Sequence, residues 1–281
     1  MGALVDMRFA CSMVSLPVCS VLFQGSVHAK FPARAVSFGR VNLYSPYTIL
    51  FLSMCIVMCV ILINRTKKMY SYPARKEMLL FLRTYLATIS LDLVLCFGIR
   101  GFSLLSRAFY AVVVSLQLGC LAASFVAAFG TGYVWMFPKK LSSECANMCR
   151  RNTLFALCFL TGILLVCNLT SLGVGVFAII FLLPAIMSFL FSFSQLAKLG
   201  ALKVEIWNYG SILVVNMFML LIGSTPLGLG ALVVLISDRY IDGIFFMHLL
   251  GFLTVLKVYN LWCLDKEQEI ECVNTVKQGG K

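Results

Sequence analysis

The sequence predicts an all-helical, polytopic membrane bundle of about seven transmembrane helices, and three observations carry that expectation. Between Leu43 and Trp262 an apolar run of roughly 17–30 residues recurs about seven times, each closed by a short polar stretch. A run of that length crosses a hydrocarbon core about 30 Å thick only as a helix that satisfies its own backbone. Composition agrees: 61% of the 281 residues are hydrophobic and 12% are charged, against about 25% charged in soluble domains. The basic residues behind the net charge of +12 stand in loops beside the apolar runs, where they set orientation rather than mark a nucleic-acid surface.

The predicted spans are 44–63, 78–99, 108–136, 153–169, 172–195, 208–236 and 242–262, with a segment 1–43 before the bundle and a short tail 263–281 after it. In the first span Cys55 and Cys59 read as small hydrophobes, as do Cys96, Cys120, Cys158 and Cys167 further on. The second carries Arg83 and Asp92; nine steps of 100° place these two on opposite faces, so they cannot simply pair. Gly119, Ala122, Ala123, Ala127 and Ala128 give the third span a face that lets another helix come close. Only Thr170 and Ser171 separate the fourth span from the fifth. The sixth contains Gly223 to Gly230 with Pro226, which predicts a kinked or broken helix. The seventh opens on Asp242, suited to cap free N–H groups at the positive end of the helix dipole, and carries His248 and Lys257.

An odd number of crossings puts the two termini on opposite sides. With the N-terminus outside, fourteen Lys and Arg fall on the inner side, including Arg65, Arg75, Lys139, Arg150, Lys198 and Lys266. Seven fall on the outer side, among them Arg8, Lys30, Arg34, Arg40, Arg100, Arg107 and Arg239. The expected orientation is therefore N-terminus lumenal and C-terminus cytosolic. Residues 1–43 read as a mature lumenal segment, because Asp6 and Arg8 interrupt its apolar start and Pro17 breaks it. Gly2 lacks the Ser or Thr at position 6 that myristoylation requires. Cys11 and Cys19, outside the bundle, are a candidate disulfide. Asn168-Leu-Thr170 matches a glycosylation acceptor in an outward loop, as Asn64-Arg-Thr66 does in an inward one.

A charge inside lipid costs about 2.5–3.5 kcal/mol, so each intramembrane charge needs a reason. Arg83 and Lys257 lie about one turn from the inner boundary and can snorkel to it. Asp92 lies deeper, at a depth close to that of His248, so an Asp92–His248 hydrogen bond is expected, with a proton relay as the rival. Cys145 and Cys149 share a helical face but lack the further ligands that structural zinc needs. No nucleophile elbow, HExxH or phosphate-cradling loop is present, and His28 and His248 are the only imidazoles. The sequence therefore points to a protein that is not an enzyme and to no cofactor or metal.

Four stretches resemble the fungal chitin synthase export chaperones, polytopic endoplasmic reticulum proteins. Cys11 with Ser15-Leu16-Pro17-Val18-Cys19-Ser20-Val21 is similar to the family's lumenal Cys…Leu-Pro-Leu-Cys-Ser-Leu element, and Ala74-Arg75-Lys76-Glu77-Met78 to its Gly-Arg-Lys-Glu-Ile. Arg239-Tyr240-Ile241-Asp242-Gly243-Ile244-Phe245-Phe246 resembles His-Tyr-Leu-Asp-Gly-Leu-Phe-Phe, and Val258-Tyr259, Trp262 and Glu269-Ile270-Glu271 fall where the family has Val-Tyr, Trp and an acidic pair. The resemblance implies a chaperone that binds a chitin synthase and lets it leave the endoplasmic reticulum, with lipid and the export machinery as further partners. It implies multi-pass residence there, with travel beside the client to the plasma membrane left open. Two rival classes are a seven-helix receptor and a small-solute transporter. Against the receptor, Trp135-Met136-Phe137-Pro138 closes the third span where an acidic-Arg-aromatic triplet is usual; against the transporter, no inverted repeat is evident.

Overall fold

A computed structural model describes residues 7–23, 30, 36–38, 41–43, 45–70, 72, 74–98, 104–133, 142–170, 172–202 and 206–279. Of these, the side chains of 36–38, 41–43, 97–98, 104–107, 133, 142–146, 201–202, 206–207 and 264–279 are left undescribed. Gly2, Asp6, His28, Arg34, Arg40, Arg100, Lys139, Lys140, Lys203 and Lys281 lie outside the described residues, as does Trp135 to Pro138. The side chains of Arg107, Cys145, Lys266, Glu269 to Glu271 and Lys277 do so too.

Among the described residues, seven helices are long and apolar enough to cross a membrane. Spans one to four are α3 (Pro46–Lys68), α4 (Arg75–Gly98), α5 (Leu104–Tyr133) and α6 (Ser142–Leu169). The fifth is α7 (Gly173–Phe177) running through a π-helical turn (Ala178–Leu182) into α8 (Leu183–Leu202), the sixth is α9 (Ile206–Ser224), and the seventh is α11 (Gly243–Gly279). Ahead of the bundle stand two short helices, α1 (Met7–Met13) and α2 (Pro17–Leu22), and an antiparallel hairpin of β1 (Val36–Phe38) with β2 (Val41–Leu43).

Each departure from regular helix has a local cause. Pro46 and Pro17 each occupy the first turn of their helix, where a missing N–H costs nothing. Pro184 has no N–H to return to the preceding turn, and the wider π turn lies directly before it. Pro226 sits in a 3₁₀ turn (Thr225–Leu227) that ends α9, and α10 (Leu229–Ile236) restarts after Gly228, whose φ of 141° suits glycine. The break expected between Gly223 and Gly230 is thus present. The fourth span begins earlier than the apolar run suggested, at Ser142 rather than 153, because the polar stretch before it also winds into helix.

Packing centres on α5, whose Ala122, Ala123, Ala127 and Ala128 are all buried. An added Cβ on Gly119 would collide with Thr161 Oγ1 and lie 3.4 Å from the Leu157 carbonyl, so α6 rests directly on the α5 backbone there. Asn168 donates from its side-chain amide to Ser115 Oγ at 2.9 Å across the same pair of helices and is buried. An amide so engaged is not available for glycosylation in the folded protein. Leu52, Cys59, Met78, Leu82 and Ile89 form the centre of the cluster joining α3, α4 and α11.

Candidate functional site

The sequence stretches singled out by the family resemblance fold into two clusters, one at each end of the bundle, with α11 joining them. Where α11 begins, Cys11 and Cys19 are bridged, with a Cα–Cα separation of 5.7 Å, and this staples α1 to α2. Leu16, in extended conformation, stands at the N-cap position of α2 without a side-chain cap, and Pro17 follows it. The turn between the two helices pushes Val14 into the bundle, where it packs on Ile244. Its Cγ2 would stand 2.7 Å from a Cβ on Gly230 and 2.8 Å from one on Gly243. Those two glycines are therefore a seat that a larger residue would fill, and the N-terminal pair of helices closes the end of the bundle like a stopper.

Asp242 ties this end together. Its Oδ1 accepts from the Phe245 N–H at 2.7 Å, which caps α11, and from the Thr48 hydroxyl at 3.2 Å. Thr48 and Ser45 share a further hydrogen bond of 2.7 Å, so the cap also binds the start of α3 to that of α11. Burial pushes the Asp242 carboxyl above the ordinary carboxylate range, against the downward pull of the Phe245 N–H and the Thr48 hydroxyl. The approach to the cap is a tight turn in which Asp238 and Arg239 hold φ of 50° and 67°, and the Ser237 side chain both donates to the Ile241 carbonyl and accepts its N–H. Tyr240 is exposed and meets Tyr47 edge-on at 6.0 Å. Phe245 lies 5.0 Å from the Phe51 ring, and Phe246 is half-buried.

At the opposite end, Trp262 and Tyr259 are buried and lie 5.7 Å apart, ring centre to ring centre. Tyr72, just before α4, lies 5.0 Å from Trp262, and the Tyr259 hydroxyl reaches Met69 Sδ at 4.0 Å. The Arg75 guanidinium rests 4.5 Å above the Tyr70 ring, a cation–π contact. Lys76 is exposed, whereas Glu77 is 3% exposed and its Oε1 has no hydrogen-bond partner.

Most of the singled-out residues are therefore interior. Leu16, Pro17, Arg75, Phe245 and Phe246 are half-buried and Cys19, Glu77, Asp242, Gly243, Tyr259 and Trp262 are buried, leaving Lys76 and Tyr240 with open surface. Their immediate work is to close the two ends of the bundle.

The expected Asp92–His248 pair is not what the structure forms. Asp92, buried within α4, instead takes a hydrogen bond from Gln117 on α5, and His248 stays half-buried on α11. The reason lies in the packing: α4 runs along α5 for most of its length and meets α11 far less. Gln117, like Ser45 and Thr48, escaped the sequence reading. A glutamine in the middle of an apolar span was the signal available for it, since amides there pair across helices. Among the described residues, no three His, Cys, Asp or Glu side chains gather as a metal site would require.

Comparison with known proteins gives one family. The family model described as chitin synthase export chaperone matches residues 3–275. A relative from Fusarium oxysporum f. sp. lycopersici, named chitin synthase export chaperone, is 21% identical, the alignment covering 96% of this chain and 84% of the relative. Relatives of the same name from Gibberella zeae and Neurospora crassa are each 22% identical over 96% of this chain and cover 84% and 79% of their own lengths. No solved structure matches the chain.

Proposed function

We propose, from the premise that this chain belongs to the chitin synthase export chaperone family, that it binds a chitin synthase in the endoplasmic reticulum membrane and enables its folding and export to the cell surface. The observation that carries this reading is the family match across nearly the whole chain, all seven spans included. The match favours this reading over a receptor or a transporter, which share with it only the span count and a broken helix.

The work is done by surfaces rather than by catalysis. A synthase with many spans exposes polar and small-residue helix faces before it is assembled, and a helical partner that covers them prevents aggregation until packaging. The excess of Lys and Arg supports a lumenal N-terminus, so residues 1–43 and the bridged stopper face the lumen while 263–281 face the cytosol and its export machinery. An oxidising lumen is also where a Cys11–Cys19 bridge persists. On this orientation Tyr240 is open to the client on the lumenal side and Lys76 on the cytosolic side, where anionic lipid competes for it.

The test is deletion of the gene in its own host with chitin synthase imaged. Retention of the synthase in the endoplasmic reticulum, reversed by the full-length chain, is the expected result. Normal delivery and a normal chitinous wall in the deletant would end the proposal.

A further inference from the structure

The sixth span is complete before its apolar run ends. Its membrane window, Asn208–Leu227, holds 20 residues, which at about 1.5 Å each already cover the roughly 30 Å of hydrocarbon. Yet α10 (Leu229–Ile236) follows directly, 8 residues without one polar side chain. Its starting level is fixed from three sides. A Cβ on Gly230 would stand 2.9 Å from the Thr225 carbonyl at the end of α9, and one on Gly243 would stand 3.3 Å from the Gly230 Cα, so α10 sets out from where α11 enters the membrane. The hydrogen bond from the Thr48 hydroxyl to Asp242 brings the first turn of α3 to the same level. From there α10 runs about 12 Å, and the turn through Asp238 and Arg239 leads the chain back.

Such a helix can neither cross the bilayer nor stand in water. Its length is under half the thickness of the hydrocarbon. Gly230 and Val234 are buried against the bundle, while Leu232, Leu235 and Ile236, a stripe at helical spacing, are exposed, Ile236 by 76%. No polar face accompanies that stripe to hold it in solvent.

Three features say that lipid covers it. Tyr47, in the first turn of α3, and Tyr240, in the turn after α10, are both exposed and meet edge-on at 6.0 Å. Tyrosines at a span boundary take the headgroup level, ring toward lipid and hydroxyl toward water. Arg239, exposed beside Tyr240, offers a guanidinium to phosphates at that level. The exposed stripe of the sixth span, Leu213, Met217, Leu220 and Leu227, leads up to α10, so the lipid-facing surface carries on into it.

We infer that α10 is an interfacial helix lodged in one leaflet at the stopper end, with Leu232, Leu235 and Ile236 among the upper acyl chains and Tyr47 and Tyr240 at the headgroups. The partner this surface fits is the bilayer itself. Because Gly230 belongs both to α10 and to the seat of Val14, the anchor also holds the stopper at the membrane surface.

The test uses the full-length chain reconstituted in phospholipid vesicles, with a fluorescent non-natural residue at Leu235 and, in a second preparation, at Val57 midway along α3. Both positions are exposed, so neither label displaces an interior contact. The lipids carry a nitroxide either at the headgroup or deep in the acyl chain, and iodide serves as the aqueous quencher. Position 235 should be quenched about threefold more by the headgroup nitroxide than by the deep one, and position 57 the reverse. Deep quenching at 235 equal to that at 57 would make α10 re-entrant. Iodide quenching without a nitroxide response would put it in water, and silence to all three quenchers would mean that protein covers it. Each of these results overturns the anchor.

Discussion

Spans one, two, three and seven are the better buried, and spans four, five and six the more open. The third span has 61% of its membrane window buried, the first, second and seventh 39–44%, and the fourth, fifth and sixth only 17–22%. Apolarity does not account for the difference. The fifth span, with the highest mean hydropathy at 2.6, is the least buried, and the seventh, with the lowest at 1.6, is among the more buried. What separates them is how much of each helix its neighbours cover, since small residues also let α6 and α8 close on α5, at Gly119 and Gly132. In lipid, helices gain little by hiding apolar surface and associate where small residues let backbones close up. The alanines of α5 allow that among the better-buried spans, while Phe189, Phe193 and Leu220 of the more open ones point outward.

This contrast can be pressed experimentally, and Gly119→Leu should press it hardest. With Thr161 and the Leu157 carbonyl against that glycine, the substitution should pry α6 from α5, costing about 3 kcal/mol or more and lowering the melting temperature in detergent sharply. Leu82→Ala, at 0% exposure in a better-buried span, should cost about 2–5 kcal/mol by the same melt; equality with a truncation in a more open span would erase the distinction. Cys11→Ser should remove about 2–3 kcal/mol by freeing the stopper, read as protease access to the N-terminal segment. Asp242→Ala should lose about 1 kcal/mol of capping while Asp242→Asn, an equally good cap, stays near wild type. Leu220→Ala on a more open span should change the melting temperature least, by less than about 0.5 kcal/mol equivalent.

The number and order of the spans, the broken sixth helix and the close-packing face of the third were legible because each depends on local composition: run length, a proline among glycines, alanines at helical spacing. The Asp242 cap was legible for the same reason. The partner of Asp92 was not, because depth along a helix axis says how far into the membrane a residue lies but not which neighbour its face meets, and Gln117 belongs to a helix whose azimuth the sequence does not encode. Nor was the seat of Val14 on Gly230 and Gly243, since it joins residues more than two hundred positions apart. Glu77, Tyr259 and Trp262, which the family resemblance singles out, are interior, because the bundle ends they close are the places where helices must be fastened.

The length of α11 has a mechanical consequence. Its 37 residues make a rod of about 55 Å, and about 30 Å of that suffices to cross hydrocarbon. Roughly 25 Å of continuous helix then stands clear of the bilayer as a strut, so a twist or tilt imposed on its far tip is carried, without an intervening hinge, to the Asp242 cap on the other side of the membrane.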